Sequence, residues 1–392
     1  MILIRRLQSE ASNRWVSTGD GTRGQTQTPE GYGAMFRTWL RMNVPPSCYL
    51  FASSPSCSSS SASSSISSSP SKQFNHHVMA TSIRIAIVGD VHDDWHLQED
   101  EKALQFLKPD LVLFTGDFGN ENVELVRSVA DLKMAKAVIL GNHDAWNTKQ
   151  FSQKRKDPVQ LQMECLSEEH VGYHRLDFPM LKLSVLGGRP FSGGGDRLFR
   201  KRLLSARYGV NDMDGSSKKI YRSASGTPED HSIIILAHNG PTGLGSKMDD
   251  ICGRDWVFVG GDHGDPDLAQ AISELKETTQ FSIPLVVFGH MHKELAYDGL
   301  RKMIVVGADN TIYLNGAIVP RVKRLIGEQG NSSNSMTDEI ALRAPESEGT
   351  LRAFTVADIL DGKLEKIAET WVSVIGDKMA VEEEHVLFKS GT

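Results

Sequence analysis

The sequence has little to tie it to nucleic acid, a bilayer or an oxidising compartment. Its 392 residues carry 43 Lys and Arg against 49 Asp and Glu, a net charge of −6. A general nucleic-acid binder usually presents a basic face, and this balance argues against one. The same balance leaves room for a small phosphorylated substrate, because a metal site brings its own positive charge. No apolar run approaches the ~20 residues needed to cross a bilayer. Cysteine is scarce: Cys48, Cys57, Cys165 and Cys252, with no Cys-x-x-Cys spacing. That speaks against a disulfide framework or a zinc knuckle, and for a reducing compartment.

The first eighty residues also lack what a fold needs. Arg5, Arg6, Arg14, Arg23, Arg37 and Arg41 face only three acids, Glu10, Asp20 and Glu30. From Val44 to Ser71 there is no charge, and Ser53 to Ser71 is mostly serine. Such a segment buries too little apolar surface to offset its ordering entropy. Arg and Ser with few acids is the pattern of an organelle transit peptide. Serine on this scale favours the chloroplast over the mitochondrion. The alternatives are a plain tail on a cytoplasmic protein or an extension upstream of Met79.

The remainder reads as one domain over 81–376, followed by a C-terminal tail over 377–392. Ile83 to Val88, Leu111 to Thr115 and Ala137 to Leu140 are apolar strands. Leu97 to Leu107, closed by Pro109, and Glu121 to Met134 are helices between them. Continuous apolar strands alternating with helices predict a largely parallel, buried sheet. Phe151 to Cys165 reads as a helix with Lys154, Arg155 and Lys156 on a solvated face. Val171 to Gly187 reads as a strand pair. The Gly-rich, basic stretch over 187–226 reads as an excursion from the core, and 328–350 as a mobile loop. Ser232 to Leu236 and Leu285 to Phe288 return as core strands. Asp265 and Pro266 open a helix to about Lys276, with Asp265 as cap. The segments from Met303 to Val319 and Arg352 to Val374 predict a second sheet packed on the first. The class is α/β with α+β character.

Five apolar strands each end in a polar cluster. In order they bring Asp90 and His92, then Asp117, then Asn142 and His143, then His238, then His290 and His292. A strand that stops at a ligand places it at one edge of a sheet, and several such edges can converge on one point. Carboxylate, amide oxygen and imidazole are ligands for divalent cations. The absence of thiolate suits catalytic Mn, Fe or Zn better than a structural zinc. Two ions about 3.5–4 Å apart can clamp a phosphate. Each cluster alone is weak, because turns favour the same residues. The ordered set is specific.

That order resembles the calcineurin-like metallophosphoesterase superfamily. The match runs from Gly89-Asp90-Val91-His92 through Gly116-Asp117, Gly141-Asn142-His143-Asp144 and His238 to Gly289-His290-Met291-His292. The resemblance implies a two-sheet β-sandwich flanked by helices in four layers. It implies two divalent ions: Asp90, His92 and His292 on one, Asn142, His238 and His290 on the other, and Asp117 bridging. It implies His143 as the acid that protonates the leaving group, held by Asp90 or Asp144. The implied reaction is hydrolysis of a phosphate mono- or diester, in a small molecule or a phosphoprotein, by attack of hydroxide held at the dinuclear centre. The alternative is a metal-binding scaffold of the same fold with little catalysis.

Other residues have weaker claims. Asn120 is either a site residue or the cap of the next helix. Arg189, within Gly187 to Gly195, is a candidate phosphate contact in a loop that would overhang the site. Gly240 to Lys247 resembles a phosphate loop, but the order Gly-Ser-Lys is wrong for one. Gly260 to Asp265, including His263, could supply further ligands, but reads better as a turn feeding the helix at Asp265. His96, His170, His174 and His231 read as surface or loop histidines.

Overall fold

The computed structural model describes residues 82–152, 154–325 and 349–391. The expected targeting segment over 1–80 lies outside them, as does nearly all of the loop expected over 328–350.

Strands β1 (Ser82–Val88), β2 (Leu111–Phe114) and β3 (Lys136–Val138) pair in parallel, as their apolar runs predict. Helix α1 (Leu97–Leu107) connects the first two and has the predicted bounds. It ends at Lys108, which turns left-handed just before Pro109. Helix α2 (Val123–Ala130) connects the next two. Its cap is Asn122, whose side chain accepts the Leu125 N–H, so Asn120 is free of that task. Helix α3 (Pro158–Leu166) starts later than Phe151, because Asp157 and Gln160 close a capping box with Pro158 at the first helical position.

The next strands are β4 (Arg175–Phe178) and β5 (Leu183–Gly187), an antiparallel pair as predicted. The expected excursion is instead part of the fold. It forms α4 (Lys201–Tyr208) and α5 (Met213–Ser223), which bury Leu203, Leu204 and Ile220. Then follow β6 (Ser232–Leu236), α6 (Pro266–Thr278), β7 (Leu285–Phe288), β8 (Ile304–Val306) and β9 (Ile312–Asn315). The chain closes with β10 (Val322–Leu325), β11 (Gly349–Leu360), β12 (Lys363–Ile375) and β13 (Lys378–Lys389).

Two mixed sheets result. One runs β13-β12-β11-β1-β2-β3, with β10 also on β11, and the other runs β4-β5-β6-β7-β9-β8. The second sheet is therefore built from the middle of the chain. The C-terminal strands, expected there, complete the first sheet antiparallel to β1. The expected C-terminal tail is largely strand β13, paired along β12 at the sheet edge. Its mostly exposed residues and central Glu382, Glu383 and Glu384 hid it, because an edge strand covered only at its ends keeps a broken apolar pattern.

Ile83, Ile85 and Ile87 share a core with Leu111, Leu113, Ile234, Leu236, Leu285 and Val287, which fills the space between the sheets. The alternate residues Ala86, Val88, Val112 and Phe114 pack with Ala103, Leu104, Val126 and Val129 of the helices. Burial on both faces is why these strands read as unbroken apolar runs. It also leaves their C-terminal ends as the place where polar residues can gather.

Candidate metal centre

The five clusters do gather, from β1, β2 and β3 of one sheet and β6 and β7 of the other. Three overlapping groups bring ligand atoms within 4.8 Å of one another: Asp90, His92 and His292; His92, Asp117 and His143; Asp117, His238 and His290. Asp117 lies in two of them. Its Oδ2 is 3.8 Å from His92 Nε2 and 4.0 Å from His143 Nε2, and its Oδ1 is 3.4 Å from His238 Nε2. His92 Nε2 faces His292 Nε2 at 3.0 Å, and His292 lies 3.5 Å from Asp90 Oδ2. Asn142 Oδ1 is 2.9 Å from His238 Nε2.

The backbone is bent to allow this. Asp117, His92 and His290 hold positive φ of 51°, 44° and 69°. Non-glycine residues seldom adopt that region, and such strain clusters at functional sites. A Cβ on Gly141 would meet Asp117 Oδ1 at 2.2 Å, and one on Gly289 would meet Asp90 Oδ1 at 2.1 Å. The glycine before each ligand pair is thus what lets two strand ends close on the same carboxylates.

Three of these side chains, His238, Asp90 and Asp117, are also held from behind. His238 Nδ1 donates to the Thr115 carbonyl at 2.7 Å, which turns Nε2 to the centre. Asp90 accepts the Thr115 hydroxyl at 3.0 Å and the His290 N–H at 2.9 Å. The His143 N–H donates to Asp117 Oδ1 at 2.9 Å.

The donor set fits divalent cations. Asp90 and Asp117 are buried, and among the described residues neither pairs with a lysine or arginine. Buried carboxylates without a cation are costly. Burial raises the Asp117 carboxyl, but His238 and His143 outweigh it and hold it well below the usual carboxylate range. Burial lowers His238, but Asp117 and Asp90 lift it to about 10. Burial keeps His92 low, and burial together with His238 keeps His290 well below the ordinary imidazole value. His92 and His290 are thus neutral imidazoles ready for a metal, whereas His238 would release its proton to a binding ion.

His143 is not held by Asp90 or Asp144. Its Nδ1 faces Asn120 Oδ1 at 2.7 Å, and its ring stacks on Trp146 at 4.7 Å with a 6° tilt. Asn120 therefore stands beside the candidate centre. Asp144 lies beneath it, accepting N–H groups from Asp117, Phe118 and Gly141 at 2.7–3.0 Å. Burial and the nearby Asp117 push its carboxyl well up, against those donors. It ties together the loops that carry Asp117 and Gly141.

Arg189 is also elsewhere. Its guanidinium is buried between Asp265 at 2.8 Å and Asp267 at 2.9 Å, so it offers nothing to a substrate. This accounts for Asp265 making no side-chain cap to α6. The glycine loop that follows does reach the site. Gly194 packs on the His263 ring, His263 Nε2 faces the Gly193 carbonyl at 2.9 Å, and His263 stacks on His290 at 5.9 Å. Sequence reading missed Trp146 and set His263 second, as part of a turn. The first follows the Gly141–Asp144 motif by two residues, and the other lies in a glycine-rich turn, the only signal either gave. His170 and His231, read as surface or loop residues, are buried.

A protein-family model described as calcineurin-like phosphoesterase matches residues 83–294. Among solved structures the chain is similar to a dimetal phosphatase from Danio rerio, at 10% identity over 79% of this chain and 99% of that one, with a TM-score of 0.36. It is similar to a hypothetical protein from Thermus thermophilus at 12% identity, over 74% and 99%, with a TM-score of 0.38. A predicted phosphoesterase from Streptococcus pneumoniae is similar at 10% identity, over 78% and 98%, with a TM-score of 0.27. Likeness at this level carries no argument about chemistry. No curated protein sequence matches the chain.

Proposed function

Because the chain belongs to the calcineurin-like phosphoesterase family, we propose that it is a metal-dependent hydrolase of phosphate mono- or diesters with a dinuclear centre. The observation that carries the reading is the convergence on Asp117, whose two oxygens face histidines from opposite sides. In this reading Asp90, His92 and His292 would hold one ion. Asn142, His238 and His290 would hold the other, and Asp117 would serve both. Mn, Fe or Zn suit the oxygen and imidazole set. When bound, such ions supply Lewis acidity toward a phosphoryl oxygen and lower the pKa of water toward ~7.

The chain's own residues do the rest. Asn120 accepts from Nδ1 of His143 and fixes the ring, so the proton on Nε2 faces the phosphate position beside Asp117. His143 donates that proton to the departing oxygen, a general-acid step. Trp146 covers one face of the ring and limits its rotation. Asp144 keeps the Asp117 and Asn142 loops in register.

The test uses the full chain loaded with Mn, assayed on 4-nitrophenyl phosphate and bis(4-nitrophenyl) phosphate. Asp117→Asn is expected to abolish turnover and deplete metal. His143→Ala is expected to keep metal and slow turnover by about 10²–10⁴. Unchanged activity in that variant would remove His143 from its role. A metal-loaded wild type that releases product from neither ester would favour the scaffold.

A further inference from the structure

Most exposed apolar side chains on this protein are scattered, but one group is not. Trp256, Phe258 and Val259 stand on the loop after β6, and Tyr297 and Leu300 on the loop after β7; Phe258 is 91% and Tyr297 74% exposed. The loops are fastened to each other. Asp255 Oδ2 accepts the Ala296 N–H at 2.8 Å and pairs with Arg301 at 3.3 Å. The residue before Trp256 is thereby bonded to the residue before Tyr297.

The pair of loops is also fastened to the metal centre. Buried Arg301 donates to the carbonyls of Asp250 and Gly253 at 2.8 and 2.7 Å, and to that of His292 at 2.9 Å. Ring contacts run the same way: Trp256 meets His263 edge-on at 4.9 Å, and His263 stacks on His290 at 5.9 Å. Exposed apolar side chains on a fixed support, linked through His263 to the metal-site loop, mark a binding face. The two loops carry seven acids (Asp249, Asp250, Asp255, Asp262, Asp265, Glu294 and Asp298) against five cations (Lys247, Arg254, Lys293, Arg301 and Lys302), and the last three cations are ion-paired. That net negative charge favours an apolar occupant over a polyanion.

Resting on the phosphoesterase reading, we propose that the substrate is a phosphoester of a bulky apolar alcohol, aromatic or long-chain. Its organic group lies on Trp256, Phe258, Val259, Tyr297 and Leu300 while its phosphate sits beside Asp117. Hydrolysis breaks the P–O bond to that alcohol and forms one from water, and the leaving oxygen takes its proton from His143.

The probes are n-alkyl phosphates and 4-nitrophenyl n-alkyl phosphodiesters with two to eight carbons, given to the Mn-loaded full chain. The expected result is a kcat/KM that rises on the order of two- to fourfold per methylene covered. Phe258→Ser and Leu300→Ser should each flatten the slope, while Met180→Ser, an exposed apolar residue on another segment, leaves it as in wild type. Turnover of the series with no dependence on chain length overturns the inference and leaves the phosphoesterase reading standing. A flat series with binding to phosphatidylcholine vesicles overturns it too, and gives the face to a bilayer. No turnover of any member overturns the reading beneath it.

Discussion

Arg189→Met separates a structural arginine from a substrate-binding one. The guanidinium is 1% exposed and bonds Asp267 at 2.9 and 3.3 Å, with Asp265 at 2.8 Å. Methionine keeps the stem and removes the charge. Ser192 and Asn239 still donate to Asp265, and Ser216 to Asp267, but neutral donors do not cancel two buried carboxylates. Removing one partner of a buried ion pair costs about 3–5 kcal/mol. Burial already pushes the Asp265 carboxyl up to about 6 with Arg189 opposing it, and the variant pushes it further. A carboxyl whose folded pKa exceeds its unfolded value stabilises the fold only while protonated, and that contribution fades as pH rises through the folded value. The loss should therefore be larger at pH 8 than at pH 5. Urea unfolding at the two pH values measures it. A loss under about 1 kcal/mol at pH 8, well short of the buried-pair range, would refute the reasoning. If KM for a phosphoester also rose, a substrate contact would be restored.

Asn120→Ala should lower kcat about tenfold with little change in KM, since one hydrogen bond orienting His143 is worth ~1–1.5 kcal/mol; steady-state kinetics checks it. Asp144→Asn puts an amide NH2 against N–H donors, and should weaken metal binding about 10–100-fold by calorimetry although Asp144 is no ligand. Burial holds the His170 imidazole down to about 3, and its Nε2 has no hydrogen-bond partner. A depressed histidine stabilises the fold above its unfolded pKa of ~6.5, and this is lost as pH falls toward 3. Stability should drop by about 2 kcal/mol between pH 7 and pH 5. His170→Leu should flatten that part of the urea-unfolding profile.

The parallel strands were legible because burial on both faces leaves mostly apolar runs, and polar residues gather where those runs end. The convergence of Asp90, Asp117, His238 and His290 could be expected for that reason. Strand β13 could not, since Glu382, Glu383 and Glu384 break its apolar pattern on an exposed edge. Helices α4 and α5 were hidden by glycines and arginines that surround a few buried residues, Leu203, Leu204 and Ile220. Arg189 misled because an arginine beside glycines suits a phosphate equally well as a buried carboxylate. Its partners Asp265 and Asp267 stand far along the chain, where local pattern says nothing about pairing. His263 reaches the site only through the fold of its turn against Gly194.

Metal stoichiometry of the full chain tests the central claim most directly. Elemental analysis after Mn loading and gel filtration should find two ions per wild-type chain. Asp117→Asn should hold fewer than one, because both positions share that carboxylate. One ion or none in the wild type, or two retained in Asp117→Asn, would contradict a dinuclear centre bridged by Asp117.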